Sequence, residues 1–340
     1  MAAPSQVNQS AWGLPQLAQM HLGMAPARVL STALELDFFS QLAAGHSTAS
    51  AVAQASGATE RGARMVLDAL AGIGLLTKEN NHYGLTPPAA EFLVAGSPNY
   101  VGDMLTLQRI WDSWGRLTEV VRNGNTAPPV ESKAEAEEFF PKLIRGLHVM
   151  NLPLARATAE VLGAGGKRRG MHVIDAGAGS GVWGIGIAEA DRQARVTAQD
   201  YPGVLEHTRQ YVKRHGLEDR FEYLAGDLKS VDFGRNRYDL ALLGNIVHSE
   251  GERASRDLFR RIARSLRPGG TIVVIDMVPN DERSGPVFPL LFALNMLVNT
   301  GHGDTYTVAE YTEWLREAGF DGIEAVDIGS HSPIIVAAKA

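Results

Sequence analysis

The chain of 340 residues contains no cysteine. It can therefore form no disulfide, thiolate metal site, iron–sulfur cluster or cysteine nucleophile, and a reducing intracellular compartment is the simpler expectation. The sequence also lacks any run close to the roughly 18 consecutive apolar residues that a membrane helix needs. Its opening, MAAPSQVNQS, has neither the basic region nor the apolar stretch of a secretory signal peptide. We therefore expect a cytoplasmic protein with no membrane partner.

An excess of positive charge is missing as well. The 32 Lys and Arg residues against 38 Asp and Glu residues give a formal net charge of −6. Such a balance offers no overall attraction to nucleic acid or to an anionic membrane surface. The length, with 45% hydrophobic residues, is sufficient for two domains with sizeable cores.

The first hundred residues have apolar positions at helical spacing, with a short predicted hairpin at 77–86 around Asn80 and Asn81. Helices followed by a hairpin are typical of a winged helix. The helix predicted at 60–73 would contact DNA in such a fold, but its Arg64 is offset by acids such as Asp68. DNA binding depends on Lys and Arg that neutralise phosphates. The pattern therefore favours a packing or dimerisation module without nucleic acid.

From residue 171 onward, short apolar runs alternate with amphipathic helices, a pattern typical of a parallel sheet with crossover helices. Helices are predicted at 251–266 and 307–317, and a hairpin at the sheet edge from 322–328 and 333–338. The other predicted strands are 171–176, 194–199, 221–225, 238–243 and 271–277.

The first of these strands runs into a glycine-rich turn in which two motifs overlap. Gly179, Gly181 and Gly184 satisfy the dinucleotide pattern G-x-G-x-x-G, which is weak by itself. The alternative register places Asp175 just before Gly177, where its carboxylate would project into the ligand crevice. A carboxylate repels a pyrophosphate but suits the ammonium and sulfonium of S-adenosylmethionine. The second register therefore indicates that cofactor.

Acids also follow the next two predicted strands. We expect Asp200 to accept hydrogen bonds from ribose hydroxyls and Asp227, between Gly226 and Leu228, to accept from the adenine amino group. Leu228 and Tyr201 would offer apolar surface to the ring, and Asn245, after the fourth strand, completes the expected cofactor site. Each acid alone could be a helix N-cap. Together with Asp175 they favour an adenosyl ligand.

On these motifs the chain resembles class I S-adenosylmethionine-dependent methyltransferases, specifically the small-molecule O-methyltransferases related to caffeate and acetylserotonin O-methyltransferases. The matching segments are ARVLSTALELDFFSQLA, ARMVLDALAGIGLLTKENNHYGLT, DAGAGSG, GDL and LRPGGTIVVIDMV. The resemblance implies a winged-helix dimerisation domain at 1–105, a helical segment at 106–165 that contributes to the substrate pocket, and a Rossmann-like α/β domain at 166–340. It also implies a parallel sheet with an antiparallel C-terminal hairpin, and a homodimer formed through the N-terminal domain.

The resemblance implies that His248, at the end of the fourth strand, is the general base for an acceptor hydroxyl. A phenol has a pKa near 10 and an imidazole one near 6.5, so the imidazole can take the proton as the oxygen attacks the methyl group. The glutamate that orients this histidine in the family aligns with Thr305. Glu250 and Asp304 are the adjacent acids that could replace it.

The resemblance also implies a small aromatic or polyketide-like acceptor, methylated at a hydroxyl. No metal site is expected, because His248 and His302 lack a third ligand. Open alternatives are N- or C-methylation by proximity, a winged-helix regulator that binds an adenosyl ligand, and a nicotinamide-dependent oxidoreductase. The expected substrate pocket comprises Trp111, Phe140, His148, Met150, Phe292, Met296 and His302.

Overall fold

A computed structural model describes residues 12–106, 108–124 and 133–340 of the chain, with the side chains of 108–109 and 133–141 outside the described part. The chain separates into two compact units, Met1–Leu107 and Gln108–Ala340. The predicted boundary at 105 is two residues from the observed one. The helical segment predicted as a separate region at 106–165 belongs, from residue 108, to the second unit.

The first unit is a set of short helices with one hairpin. The strands β1 (Leu76–Glu79) and β2 (His82–Leu85) pair antiparallel. Asn80 and Asn81 join them with φ values of +46° and +65°, as a two-residue hairpin turn requires. The helices are α1 (Leu14–His21), α2 (Met24–Glu35), α3 (Phe38–Ala43), α4 (Ala49–Ser56), α5 (Glu60–Ile73), α6 (Pro87–Phe92) and α7 (Gly102–Leu105).

Helix α5 begins at the N-cap Thr59, whose hydroxyl accepts the Gly62 N–H, and buries Leu67 and Leu70 in the core of this unit. On another face of α5, the Asp68 carboxylate accepts hydrogen bonds from two basic side chains. Its carboxylate lies 2.9 Å from Arg64 and 2.6 Å from Lys78 on the hairpin. These two basic side chains are therefore paired with one acid, consistent with the neutral helix expected from the sequence.

The second unit is an α/β domain. Its helices are α8 (Gln108–Gly115), α9 (Leu117–Asn123), α10 (Lys133–Val161), α11 (Val182–Ala190), α12 (Pro202–Arg214), α13 (Val247–Glu250), α14 (Glu252–Ser265), α15 (Val287–Asn299) and α16 (Val308–Glu317). Its strands are β3 (His172–Ala176), β4 (Arg195–Asp200), β5 (Phe221–Ala225), β6 (Tyr238–Gly244), β7 (Leu266–Ile275), β8 (Phe320–Val326) and β9 (Ile334–Lys339).

The strand order in this sheet is β5-β4-β3-β6-β7-β9-β8. The pairs from β5 to β7 are parallel, and β9 runs antiparallel to both β7 and β8. The chain reverses its direction of progress across the sheet between β3 and β6, and ligands bind at such switch points in open α/β sheets. The predicted Rossmann-like sheet with its antiparallel C-terminal hairpin is confirmed.

Strand β7 begins at Leu266 rather than at the predicted 271. The pairing register with β6 slips between Tyr238 and Leu240, so the Arg267–Gly270 turn is accommodated inside the strand. Helix α14 consequently ends at Ser265, directly before the strand. Within the described residues, no helix is long and apolar enough to cross a bilayer.

Candidate active site

The glycine-rich loop after β3 is closely packed on one side and open on the other. Gly177, Gly179 and Gly181 have φ values of +68°, +56° and +75°, a region that favours glycine. A Cβ at Gly177 would meet Ile246 at 2.8 Å and one at Gly181 would meet Thr208 at 2.9 Å. Nothing lies within 4 Å of a Cβ at Gly179. The loop therefore leaves open space at Gly179, where a ligand could approach the backbone.

Backbone N–H groups in this segment already have partners inside the protein. These bonds fix the conformation of the loop from within the protein. The donor and acceptor pairs are Gly177 with Gln199 (3.2 Å), Gly179 with Asp200 (2.8 Å), Gly184 with Asp175 (2.9 Å) and Gly181 with the Ala178 carbonyl (2.7 Å).

Asp175 does not face the ligand crevice as an exposed anion, contrary to the expectation from sequence. It is fully buried at the end of β3. One carboxylate oxygen accepts the Gly184 N–H, and the other has no partner among the described residues. Burial raises the pKa of Asp175 to about 7, against the opposing effect of the Gly184 donor. The side chain supports the loop through the Gly184 N–H, and its protonated and ionised forms coexist near neutral pH.

Asp200, at the end of β4, borders the open side of the loop. One of its oxygens accepts the Gly179 N–H at 2.8 Å and the other accepts the Tyr201 N–H at 2.7 Å. Burial raises the pKa of Asp200, while these two donors lower it. Each oxygen keeps a second lone pair for a ligand hydroxyl. The Tyr201 ring is 54% exposed and available to a ligand.

The turn after β5 is tied to the glycine-rich loop through Gln199, a residue that the sequence analysis missed. Its buried amide accepts the Gly177 N–H and donates to the Gly226 carbonyl at 2.7 Å. Asp227 follows, with one oxygen accepting the Lys229 N–H at 2.9 Å. Leu228 is 9% exposed. Gln199 therefore holds together two of the segments predicted to bind cofactor.

Asn245 follows β6 on the opposite side of the switch point. Its φ of +57° is unusual for a residue other than glycine, and its N–H donates to the Ile275 carbonyl at 2.8 Å. Within the described part of the chain its side-chain amide makes no hydrogen bond. The open space at Gly179, the spare acceptor sites of Asp200 and this amide fit an adenosyl ligand.

His248 lies in the short helix α13 and is bound to a buried carboxylate. Its Nδ1 is 2.6 Å from Asp276 Oδ1, and its backbone N–H donates to Asp276 Oδ2 at 3.0 Å. The Met277 N–H also donates to Oδ1, at 2.8 Å. A carboxylate at Nδ1 fixes the proton there and leaves Nε2 as the acceptor. The bonds to Asp276 thus orient the His248 imidazole, with Nε2 able to accept a proton.

The acid bonded to the His248 ring is neither Glu250 nor Asp304, the two replacements that the sequence left open. Glu250 lies 3.5 Å from Lys229. Asp304 accepts the Thr305 N–H at 2.7 Å, and its own N–H donates to the His248 carbonyl at 2.9 Å. Thr305, at the position of the family glutamate, is buried and donates to the Pro289 carbonyl. The orienting carboxylate therefore comes from the residue that follows β7 rather than from these neighbouring segments.

A sequence signal for Asp276 existed. Asp175, Asp200 and Asp227 were identified because each acid ends or follows a predicted strand. Asp276 stands at the end of the strand predicted at 271–277, in the same kind of position. Its carboxylate meets His248 because β6 and β7 are adjacent and parallel, so their carboxyl ends reach the same edge of the sheet.

Helix α15 provides an apolar wall beside His248. The Phe292 ring meets the imidazole edge-on, with centroids 5.0 Å apart. Met296, one turn further along, is 7% exposed. Helix α8, which carries the partly buried Trp111, packs against α15 and is joined to it by a 3.1 Å hydrogen bond from Trp114 Nε1 to Asn295. Of the predicted pocket residues, Phe292 and Met296 therefore lie on α15, and Trp111 lies on the helix that packs against it.

The other predicted pocket residues have different surroundings. His148 is buried beneath the glycine-rich loop, where both ring nitrogens have partners, and Met150 is 56% exposed. His302 lines a cavity of about 820 Å³ with Leu228 and charged side chains. The Phe140 side chain lies outside the described residues. Among the residues that the structure describes, no group of three His, Asp or Glu is placed to bind a metal ion.

Comparisons with known proteins agree with this geometry. Residues 155–321 match the O-methyltransferase domain family, and residues 18–95 match the O-methyltransferase dimerisation domain. The chain is 31% identical to a 3-hydroxy-5-methyl-1-naphthoate 3-O-methyltransferase of Streptomyces sahachiroi, over 92% of this chain and 91% of that protein. It is 29% identical to the tetracenomycin polyketide synthesis 8-O-methyl transferase TcmO of Streptomyces glaucescens, over 96% and 97% of the two chains.

Among solved structures, human N-acetylserotonin methyltransferase in complex with S-adenosylmethionine superposes with a TM-score of 0.83. The sequence identity is 25%, and each chain is covered completely. The match to the dimerisation domain supports a homodimer. The chain therefore belongs to the O-methyltransferase family of S-adenosylmethionine-dependent methyltransferases.

Proposed function

We propose that this enzyme methylates a phenolic hydroxyl of a small aromatic or polyketide-like acceptor, with His248 as general base. The observation that carries the proposal is the 2.6 Å contact between His248 Nδ1 and Asp276 Oδ1. It lies at the carboxyl edge of the sheet, next to the glycine-rich loop. Methyl transfer to a neutral hydroxyl requires a proton acceptor, and this pair is arranged as one.

Asp276 contributes in two ways. It holds the proton on Nδ1, so that Nε2 is the basic nitrogen, and its negative charge stabilises the imidazolium that forms when Nε2 takes the acceptor proton. The carboxylate is itself held by the N–H groups of His248 and Met277. Among the described side chains the Asp276 carboxylate is the one bonded to the imidazole, and Thr305 stands at the position of the family glutamate.

The cofactor is assigned to the surface formed by Gly179, Asp200, Tyr201, Asp227 and Asn245. When bound, S-adenosylmethionine supplies an electrophilic methyl group whose sulfonium leaves as a neutral thioether. Asp200 would hold the ribose hydroxyls and Asp227 the adenine amino group, with Leu228 beside the ring. Asp175 acts through the loop that it supports.

The acceptor class follows from the wall beside His248. Phe292 and Met296 on α15 are flat or polarisable apolar side chains suited to an aromatic ring, and Trp111 lies on α8, which packs against that helix. The relatives from Streptomyces are named for a naphthoate and for a tetracenomycin polyketide. A phenol on a fused or extended ring system is therefore the proposed acceptor, and the enzyme would act as a homodimer.

The test is to incubate the enzyme with cofactor labelled in its methyl group and a panel of phenols, arylamines and carbon nucleophiles, then to locate the label by mass spectrometry. We expect labelled methyl ethers of phenols, formed more slowly by His248→Ala. Label on amine nitrogen or ring carbon, at equal rates in both proteins, would contradict the proposal and support transfer by proximity.

A further inference from the structure

A chain of hydrogen bonds runs through two histidines that methyl transfer does not use. His148 Nδ1 lies 3.0 Å from the Ser180 hydroxyl in the glycine-rich loop, and His148 Nε2 lies 3.3 Å from His215 Nε2. His215 Nδ1 is in turn 2.8 Å from Glu189. The chain therefore begins at an acid on α11 and ends inside the loop that borders the cofactor.

The chemistry of these groups allows two arrangements of the protons. A carboxylate only accepts, so Glu189 requires a proton on His215 Nδ1, and a single proton can lie between the two Nε2 atoms. If that proton belongs to His215, His148 donates from Nδ1 to the Ser180 oxygen. If it belongs to His148, Ser180 donates to Nδ1. Ser180 is bound to the imidazole in either arrangement.

The loop needs such restraints because it has no regular structure of its own. Ser180 lies between Gly179 and Gly181, both left-handed, and Thr208 on α12 donates to the Gly179 carbonyl at 2.7 Å. Other restraints on this segment come from Asp175 on β3 and from Gln199 and Asp200 on β4. Among the described residues, the bond between Ser180 and His148 connects the glycine-rich loop to α10.

His148 is itself held rigidly. Its ring stacks on Tyr211 with centroids 4.2 Å apart and is 6% exposed. Arg156, two turns further along α10, donates two hydrogen bonds to the Glu189 carboxylate, at 2.7 and 3.2 Å. The same carboxylate therefore anchors α10 and orients His215, so the position of α10 is coupled to the geometry of the loop.

We propose that His148 is a positioning residue for S-adenosylmethionine: supported by His215 and Glu189, it fixes Ser180 and holds the glycine-rich loop in its binding conformation. This inference rests on the cofactor site assigned above and is independent of the acceptor and of His248.

The experiment measures the Kd of S-adenosylhomocysteine by calorimetry, together with KM for S-adenosylmethionine and kcat. His148→Phe keeps a ring against Tyr211 but removes both nitrogens, whereas His148→Asn keeps a polar atom near the Nδ1 position. Ser180→Ala removes the other partner, and His46→Gln, at an exposed histidine in the first unit, is the matched control.

We expect Kd and KM to rise about three- to tenfold in His148→Phe and in Ser180→Ala, the range for loss of one hydrogen bond. The double variant should be no weaker than either single variant, because both remove the same bond. His148→Asn should restore most of the affinity, with kcat changed less than twofold throughout.

Additive losses in the double variant, or an unchanged Kd in Ser180→Ala, would overturn the proposal. The Ser180 result stands even if His148→Phe does not fold, because it leaves the histidine pair in place. Wild-type enzyme that binds S-adenosylhomocysteine but methylates no phenol would refute the proposed function while leaving this calorimetric test intact.

Discussion

The second unit contains two buried histidines with opposite surroundings. His248 is 8% exposed and touches the carboxylate of Asp276, whereas His148 is 6% exposed and touches a hydroxyl and another imidazole. Burial and the nearby His215 lower the pKa of His148 to about 4. A carboxylate partner stabilises an imidazolium, and an imidazole partner opposes it.

The difference separates two uses of the same side chain. In the proposed reaction His248 takes up a proton, and the Asp276 carboxylate stabilises the imidazolium that results. His148 stays neutral at physiological pH and therefore serves as a fixed hydrogen-bonding element beneath the loop. Burial alone would not distinguish the two roles, but the partner at each ring nitrogen does.

The largest expected effect concerns the base. His248→Ala should lower kcat for a phenolic acceptor by about 10²–10⁴, the usual contribution of general base catalysis, with the calorimetric Kd of S-adenosylmethionine unchanged. A decrease in kcat of less than a few-fold would indicate that His248, like His148, has a structural role, and the two histidines would then no longer differ in function.

The next effect concerns the partner. Asp276→Asn should lower kcat by roughly 10–10³, because an amide neither fixes the Nδ1–H tautomer nor stabilises the imidazolium. Glu250→Gln is the matched control, since Glu250 faces Lys229 instead, and should retain nearly full activity in the same assay. Equal losses in the two variants would restore Glu250 as an orienting residue.

On the cofactor side, Asp200→Ala should weaken S-adenosylmethionine by about 1–3 kcal/mol, the cost of leaving buried hydrogen-bonding groups unpaired. Both the ligand hydroxyls and the Gly179 N–H would lose an acceptor. Calorimetry checks the value, with Asp232→Ala at an exposed turn as the control. An unchanged Kd would exclude Asp200 from the site.

The smallest effect is the pH dependence of stability. The pKa of His148 is about 6.5 in the unfolded chain and about 4 in the folded chain. The unfolded chain therefore binds the proton first, and the stability of the fold decreases as the pH falls through this interval. We expect the fall in Tm between pH 7 and 5 to be smaller in His148→Phe by on the order of 5 °C. An equal fall in Tm between pH 7 and 5 in both proteins would contradict the conclusion that His148 is neutral in the folded chain. The groups that face His148 are Ser180, Arg156, Glu189, Tyr211, Arg214 and His215.

The sequence predicted the fold well because periodicity and turn residues are local signals. The parallel strands, the hairpin at Asn80 and Asn81 and the order of elements all follow from them. Asp200 was predicted to bind the ribose because it ends a parallel strand, and the structure shows its bond to Gly179 in the glycine-rich loop.

Partners brought from distant parts of the chain were harder to predict. Asp276 is 28 residues from His248, and His148 meets Ser180 and His215 across 32 and 67 residues. Asp175 was expected to face a ligand, yet its burial depends on how α11 closes over β3. Sequence position identifies a strand end, but three-dimensional packing decides which side chain faces inward.

The most direct test of the account compares two accepted phenols of different acidity in the wild type and His248→Ala at one pH. If the pair of His248 and Asp276 removes the acceptor proton, the variant should lose most activity on the weakly acidic phenol. It should lose little on a phenol that is already ionised. An equal loss on both phenols would show that His248 only positions the acceptor, and would contradict the central claim.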